Sequence, residues 1–203
     1  MASYGHLAVG LLAGRLHGGA DGPRDRGEAQ ASAGTLLCFA VLAELPDADV
    51  FGVACGLPDV GLYGHRGGSH SFVMALAIGL ACGLFARRFG WPAVRTTVAV
   101  TLAVASHGVL DAFGAGGRGI PLLWPLSDAR FFSPWRMLPD APRGMQMLSR
   151  PGLVDLAIEF VVFFPLTAFA LWPIRQARRR RRATPVAGSA AAPRPLATDA
   201  APR

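Results

Sequence analysis

The sequence predicts an all-α protein: a polytopic transmembrane helical bundle of about five helices with a disordered C-terminal tail. Three observations predict it. The apolar residues fall in blocks at about 33–45, 71–86, 96–110 and 153–174, with a shorter one at 7–14, and Gly, Pro and Arg fill the spaces between them. The block LVDLAIEFVVFFPLTAFALWPI reaches the ~20 residues that span a bilayer and has no polar face to turn to water. Charged residues make up only 16% of the chain, against about 25% in soluble globular proteins. A soluble protein with very apolar core helices is the competing reading, and the last block argues against it.

The elements follow in order. Residues 2–16 form a short first helix with Gly10 and Gly14 four apart. MASYGHLAVGLLAGRL lacks the basic start of a secretory signal, so this helix is expected to stay. GGADGPRDRGEAQAS, residues 18–32, is a turn-rich polar loop. The second helix runs over 33–45 and stops at Pro46, and a Gly-, Pro- and Asp-rich loop of about 20 residues follows. The third helix starts near Ser69 and ends at Arg87–Arg88; Pro92 opens the fourth, which continues to about Asp111. A long segment at 112–151 leads to the fifth helix at about 152–174. Residues 1–175 form the membrane-embedded domain. Residues 176–203 are a basic, then Ala/Pro-rich tail whose composition predicts disorder.

All twenty basic residues are arginine, and the formal charge is +7. The basicity peaks in RQARRRRR at 175–182, directly after the last apolar block. That placement suits a cytoplasmic membrane flank and argues against a nucleic-acid partner. Alternating the helices puts twelve arginines on the C-terminal side and six on the other, so a cytoplasmic C-terminus is expected. Cys38, Cys55 and Cys82 show no CxxC spacing and read as small buried hydrophobes, not as disulfides or zinc ligands.

The same alternation gathers polar residues on the opposite face. His6 lies near the outer end of the first helix, Asp47 and Asp49 close the second, His65 and His70 open the third, and His107 and Asp111 end the fourth. Of the five histidines only His17 falls elsewhere. His107 and Asp111 are i and i+4 and share a helix face, where imidazole and carboxylate can hold one divalent ion. Stripes of small residues lead up to these groups: His6–Gly10–Gly14, Ser71–Ala75–Gly79–Gly83, and Ala99–Ala103 below His107. Such stripes let membrane helices approach closely. Seven candidates exceed the four ligands of one zinc ion, which implies two metals, or one metal with a catalytic base and supporting groups. Zinc is the first expectation; manganese, iron and nickel also accept mixed His and Asp ligands. Arg66, inside HRGGSH, is placed to hold an anionic oxygen. Glu44 reads equally as a general base or a helix-end acid, and Asp59 as a loop residue. Asp155 and Glu159 are i and i+4 in the fifth helix; Glu159, deeper in the apolar block, reads as a support for a ligand histidine or as the partner of a loop arginine.

These motifs resemble a known family. HRGGSHSF is similar to the HRG-x-[ST]-HS signature of the YdjM-type bacterial inner-membrane, metal-dependent hydrolases, some of them LexA-regulated. ELPDAD is similar to that family's LPD-x-D element, and SHGVLDAFGAGGRGIPLLWPLSDARF to its H-x-x-x-D segment followed by G-x-x-L-LWP-x-S. The resemblance covers roughly residues 1–175; the glycine-rich insert at 114–119 and the arginine-rich tail depart from it. It implies an integral inner-membrane hydrolase with one or two divalent ions, in which His65, His70, His107 and Asp111 are ligands. Asp47 and Asp49 would be ligands or bridging carboxylates, with His6 joining them. Arg66, Glu44 and Asp49 are the catalytic candidates. Ser127 and Asp128 would bind substrate or cap a loop, and Trp124 would anchor at the membrane interface. The expected reaction is metal-activated hydrolysis of an ester or phosphoester; the site's place at a membrane surface suits an amphiphilic substrate such as a lipid or lipid-linked phosphate, and the resemblance itself names no substrate. The rival reading is a non-enzymatic metal-binding membrane protein: a transporter, a sensor or a structural site.

Overall fold

The computed structural model describes residues 4–18, 31–59, 61–115, 117–139 and 144–172. The expected arginine cluster at 175–182 and the tail beyond it lie outside these residues, as does most of the loop between the first two helices. The described helices are α1 (Tyr4–Gly18), α2 (Ala33–Glu44), α3 (Asp49–Ala54), α4 (Phe72–Arg88), α5 (Ala93–Ala112) and α6 (Arg150–Leu171). No named strand occurs among the described residues. Between α5 and α6 the chain makes two isolated bridges, Gly114 with Leu138 and Ile120 with Phe131.

Five of the helices are the expected ones. The short α3 is an addition where the sequence predicts loop. Pro46 has no N–H to continue α2, but proline is tolerated in the first turn of a new helix. The chain therefore makes a 3-10 turn over Leu45–Ala48 and re-enters helix at Asp49. Serines start three of the long helices. Ser32 Oγ accepts from Thr35 N, Ser71 Oγ from Met74 N, and Ser149 Oγ from Gly152 N. Each satisfies one orphan donor of a first turn.

α1 and α5 form the centre of the bundle. α1 packs on α2, α5 and α6, and α5 packs on α1, α2 and α4. The small-residue stripes lie in these seams. A Cβ on Gly10 would stand 2.6 Å from the Phe39 carbonyl oxygen of α2. On α4, a Cβ at Gly79 or Gly83 would collide with the hydroxyls of Thr101 or Thr97 of α5. The core between α2, α4 and α5 is built of Phe39, Ala75, Val100, Ala103 and Val104.

Large apolar side chains cover the outside instead. Leu37, Leu84, Leu102, Val161 and Phe164 are all exposed. α5 and α6 are each long and apolar enough to cross a bilayer, and only 17% of the most apolar stretch of α6 is buried. A core helix of a soluble protein would be mostly buried, so this surface is suited to lipid. The cysteines follow the same outward logic. All three are free, but Cys38 and Cys55 are exposed and Cys82 is half-buried, which corrects the expectation of burial.

Candidate metal centre

The candidate ligands are delivered by several separate pieces of chain to one end of the bundle. His6 sits in the first turn of α1, and Asp47 in the 3-10 turn after α2. Asp49 is the first residue of α3. His65 and Arg66 lie in the loop ahead of a 3-10 turn, Gly68–His70, that carries His70. His107 and Asp111 occupy the last two turns of α5. The glycines of HRGGSH are required by close approach. A Cβ on Gly67 would run into the Leu62 carbonyl, and one on Gly68 would stand 2.9 Å from the Trp124 ring. Arg66 adopts φ 62°, a left-handed conformation uncommon for a side-chain-bearing residue.

Two carboxylates and two imidazoles face one point. Asp47 Oδ1 is 3.2 Å from His107 Nε2 and 3.3 Å from His70 Nε2. Asp111 Oδ2 is 3.5 Å from His70 Nε2 and 3.8 Å from His107 Nε2. All four donor atoms lie within 4.8 Å of one another. His6 completes the wall: its ring stacks on His107 at 3.7 Å between centroids, and its Nε2 is 3.5 Å from Asp111 Oδ1. Neither His6 ring nitrogen has a hydrogen-bond partner among the described residues, although the side chain is fully buried.

The tautomers decide what this cluster can do. His107 Nδ1 lies 2.7 Å from the Ala43 carbonyl oxygen, which can only accept, so Nδ1 carries the proton. Ser69 Oγ gives its single proton to Asp49 Oδ2 at 2.8 Å and therefore accepts from His70 Nδ1 at 2.9 Å. In the neutral rings both Nε2 atoms are then lone pairs facing carboxylate oxygens, and a second proton on either ring is donated to Asp47 Oδ1. The neutral set is repulsive until a proton or a metal cation enters it. Ligands of a tetrahedral ion with bonds of 2.0–2.1 Å stand about 3.3–3.4 Å apart, and the four measured spacings bracket that value. Burial by itself would raise the Asp47 carboxyl, but the imidazoles of His107 and His70 beside it pull it well below the usual carboxylate range. Burial also lowers the His70 ring from its ordinary value. Deprotonated carboxylate and neutral imidazole are the ligating forms, so the residues fit a divalent ion.

A second group, Asp47, Asp49 and His65, shares Asp47 with the first. It differs in one respect. His65 Nδ1 lies 2.9 Å from Asp49 Oδ1 and 3.7 Å from Asp47 Oδ1, so a single proton on Nδ1 satisfies it without an ion. Arg66 closes the edge: its Nε is 3.4 Å from Asp111 Oδ2, its backbone N donates to Asp49 Oδ2 at 3.2 Å, and its carbonyl accepts from Arg130 Nη1 at 3.1 Å.

The remaining candidates belong to neither group of donors. Glu44 is half-buried in the last turn of α2 and belongs to neither group. Ser127 Oγ accepts from Ala129 N, the capping arrangement, and Asp128 is exposed. The Asp59 carbonyl accepts from Arg118 in the loop. Asp155 is half-buried, whereas Glu159 is fully buried and accepts from Gly5 N at 3.4 Å, next to His6. Trp124 packs its ring over Gly68 and so helps to shape the histidine loop. Sequence reasoning missed Ser69 and the Ala43 carbonyl. The only signal for Ser69 was its place beside His70 in HRGGSH, and a main-chain carbonyl leaves none.

Residues 1–181 match the family model described as YdjM inner membrane protein. The chain belongs to the YdjM family. It is also 36% identical over 146 residues to the inner membrane protein YbcI of Escherichia coli (strain K12), covering 71% of this chain and 84% of that one. No solved structure matches significantly. As a YdjM-family chain it is an inner membrane protein, and its exposed apolar helix faces are the lipid-facing surface. The family match also covers every donor of both groups.

Proposed function

We propose that this YdjM-family protein is a membrane-embedded, metal-dependent hydrolase of an ester or phosphoester. The observation that carries the reading is the pair of Nε2 lone pairs set against Asp47 and Asp111, with both Nδ1 atoms already committed behind them. Asp47, His70, His107 and Asp111 would hold one divalent ion, with zinc first among those suited, and His6 lies against Asp111 as a further donor. Asp49 and His65, with the shared Asp47, would hold a second ion once the His65 proton moves from Nδ1 to Nε2. A divalent ion at such a centre supplies Lewis-acid polarisation and brings the pKa of water toward neutrality.

The chain's own residues do the rest. Arg66 offers a guanidinium fork to an anionic oxygen at the edge of the donors. Asp49 holds the Ser69 proton and through it the His70 ring, while the Ala43 carbonyl orients His107. Asp49, in contact with His65, is the better placed proton acceptor; Glu44 stands outside the cluster. The site lies at one end of a lipid-facing bundle, which favours an amphiphilic substrate such as a lipid-linked phosphate. In our reading that end is the outer one, and the C-terminus is cytoplasmic.

Elemental mass spectrometry on detergent-purified protein tests the proposal. Wild type should carry at least one equivalent of divalent metal, and a His70→Ala, His107→Ala variant none. Metal-loaded wild type should then release phosphate from a lipid phosphate where the variant does not. Well-folded wild type that takes up no metal when supplied with it would sink the hydrolase reading. Metal bound without turnover on any ester would leave the non-enzymatic metal-binding alternative.

A further inference from the structure

At the end of the bundle away from the metal centre a cleft of about 1250 Å³ opens between α2 and α4. Both helices pack on α5 and meet around Phe39 and Ala75, and the cleft opens beyond that contact. Its walls are apolar, with Phe39 and Leu42 on one side and Ala81, Cys82 and Phe85 on the other. Its far end is polar: His17, Ser32, Thr35 and Thr96 line it, and the exposed Trp91 stands at the rim. Along α2 the cleft runs from Leu42 to Ser32, about 15 Å at 1.5 Å per residue. That is half of the ~30 Å hydrocarbon core, the depth of one leaflet.

Charge sorts the two ends of the molecule. Every acid among the described residues lies in the metal-side half. Arg15, Arg87, Arg88 and Arg95 lie at the other end. Arg95 reaches the mouth of the cleft: its guanidinium donates to the carbonyls of Leu16 and His17, and His17 is itself a lining residue. An apolar slot one leaflet deep, with a tryptophan at its rim and arginine at its mouth, has the polarity of an anionic phospholipid.

We propose that this cleft binds an anionic phospholipid of the leaflet away from the metal centre. One acyl chain lies along Phe39, Leu42 and Phe85, and the phosphate lies by His17 and Arg95. The site is separate from the metal centre and does not depend on the hydrolase reading.

The test uses the full chain reconstituted in vesicles of equal phosphatidylglycerol and phosphatidylethanolamine, then released in mild detergent for native mass spectrometry. Wild type should retain phosphatidylglycerol in clear excess. Arg95→Gln should lower that preference by about five-fold, the effect of one basic residue at an anionic surface. Ala81→Trp, at an exposed position on the cleft wall, should lose the bound lipid while keeping the wild-type melting temperature. Because Arg95 also holds the end of α1, Ala81→Trp is decisive if Arg95→Gln unfolds. Retention of both lipids at the bulk ratio by wild type, or undiminished phosphatidylglycerol on Ala81→Trp, would overturn the proposal.

Discussion

His70 and His107 are each held from behind by a group that fixes the proton, and this is what turns two imidazoles into ligands. The two supports differ in kind. Ser69 and Asp49 form a relay of side chains behind His70, whereas the Ala43 carbonyl behind His107 is main chain. Only the first can be removed by substitution. Ser69→Ala should leave the helices intact and weaken metal binding by about 10–100-fold, the usual effect of losing an outer hydrogen bond to a ligand; competition with a calibrated chelator measures it. His65→Ala separates the two groups of donors. It should leave the ion of Asp47, His70, His107 and Asp111 in place and abolish only binding that appears at higher metal concentration. Asp47→Ala should remove both, because that carboxylate is common to the two groups. If Asp47→Ala and His65→Ala titrate alike, the shared-carboxylate arrangement is wrong.

At the scale of elements, the donors meet because glycines let helices approach. α4 rests on α5 through Gly79 and Gly83, and α1 rests on α2 through Gly10. Gly79→Leu must push against the Thr101 hydroxyl and the Thr97 carbonyl, so α4 cannot keep its seat. Overpacking of this kind costs about 1–3 kcal/mol, and thermal unfolding in detergent should show the loss. The same variant should bind metal less tightly, because α4 starts at Phe72, two residues after His70. Leu84→Ala, on the exposed face of α4, is the control and should change neither quantity. The HRGGSH loop obeys the same rule at shorter range, since Gly67 and Gly68 admit the Leu62 carbonyl and the Trp124 ring.

Across the whole molecule, charge and polarity run along the bundle axis. The acids and four of the five histidines gather at one end, the other end carries Arg15, Arg87, Arg88 and Arg95 with no acid among the described residues, and apolar side chains cover the length between. Arg15 shows how the basic end is built: it is buried, and its Nη1 donates to the carbonyls of Ala170 and Trp172 at the end of α6. A cation at a helix C-terminus is favoured by the helix dipole. The native thiols offer a test of orientation. Cys55 is exposed just past α3, on the metal side. In a Cys38→Ser, Cys82→Ser background, a membrane-impermeant maleimide should label Cys55 in intact spheroplasts. Labelling only after lysis would place the metal centre on the cytoplasmic side and reverse the proposed topology.

The sequence by itself determined the number of long helices, the start of α5 at Pro92, and the end of the bundle to which each candidate histidine and aspartate ligand belongs. These are local properties. Block length, helix-breaking residues and the four-residue spacing of His107 and Asp111 can be read without knowing what touches what. Tertiary structure decided the rest. It made α3 from a stretch that reads as loop, left Glu44 outside the donor groups, and turned Cys38 and Cys55 outward. It set His6 against the ring of His107, and Glu159 against the main chain beside His6. It also chose the tautomers, because the acceptor that fixes His107 is a carbonyl 64 residues away in the chain. A ligand's direction depends on which atoms crowd behind it, and those atoms arrive only when separate helices pack.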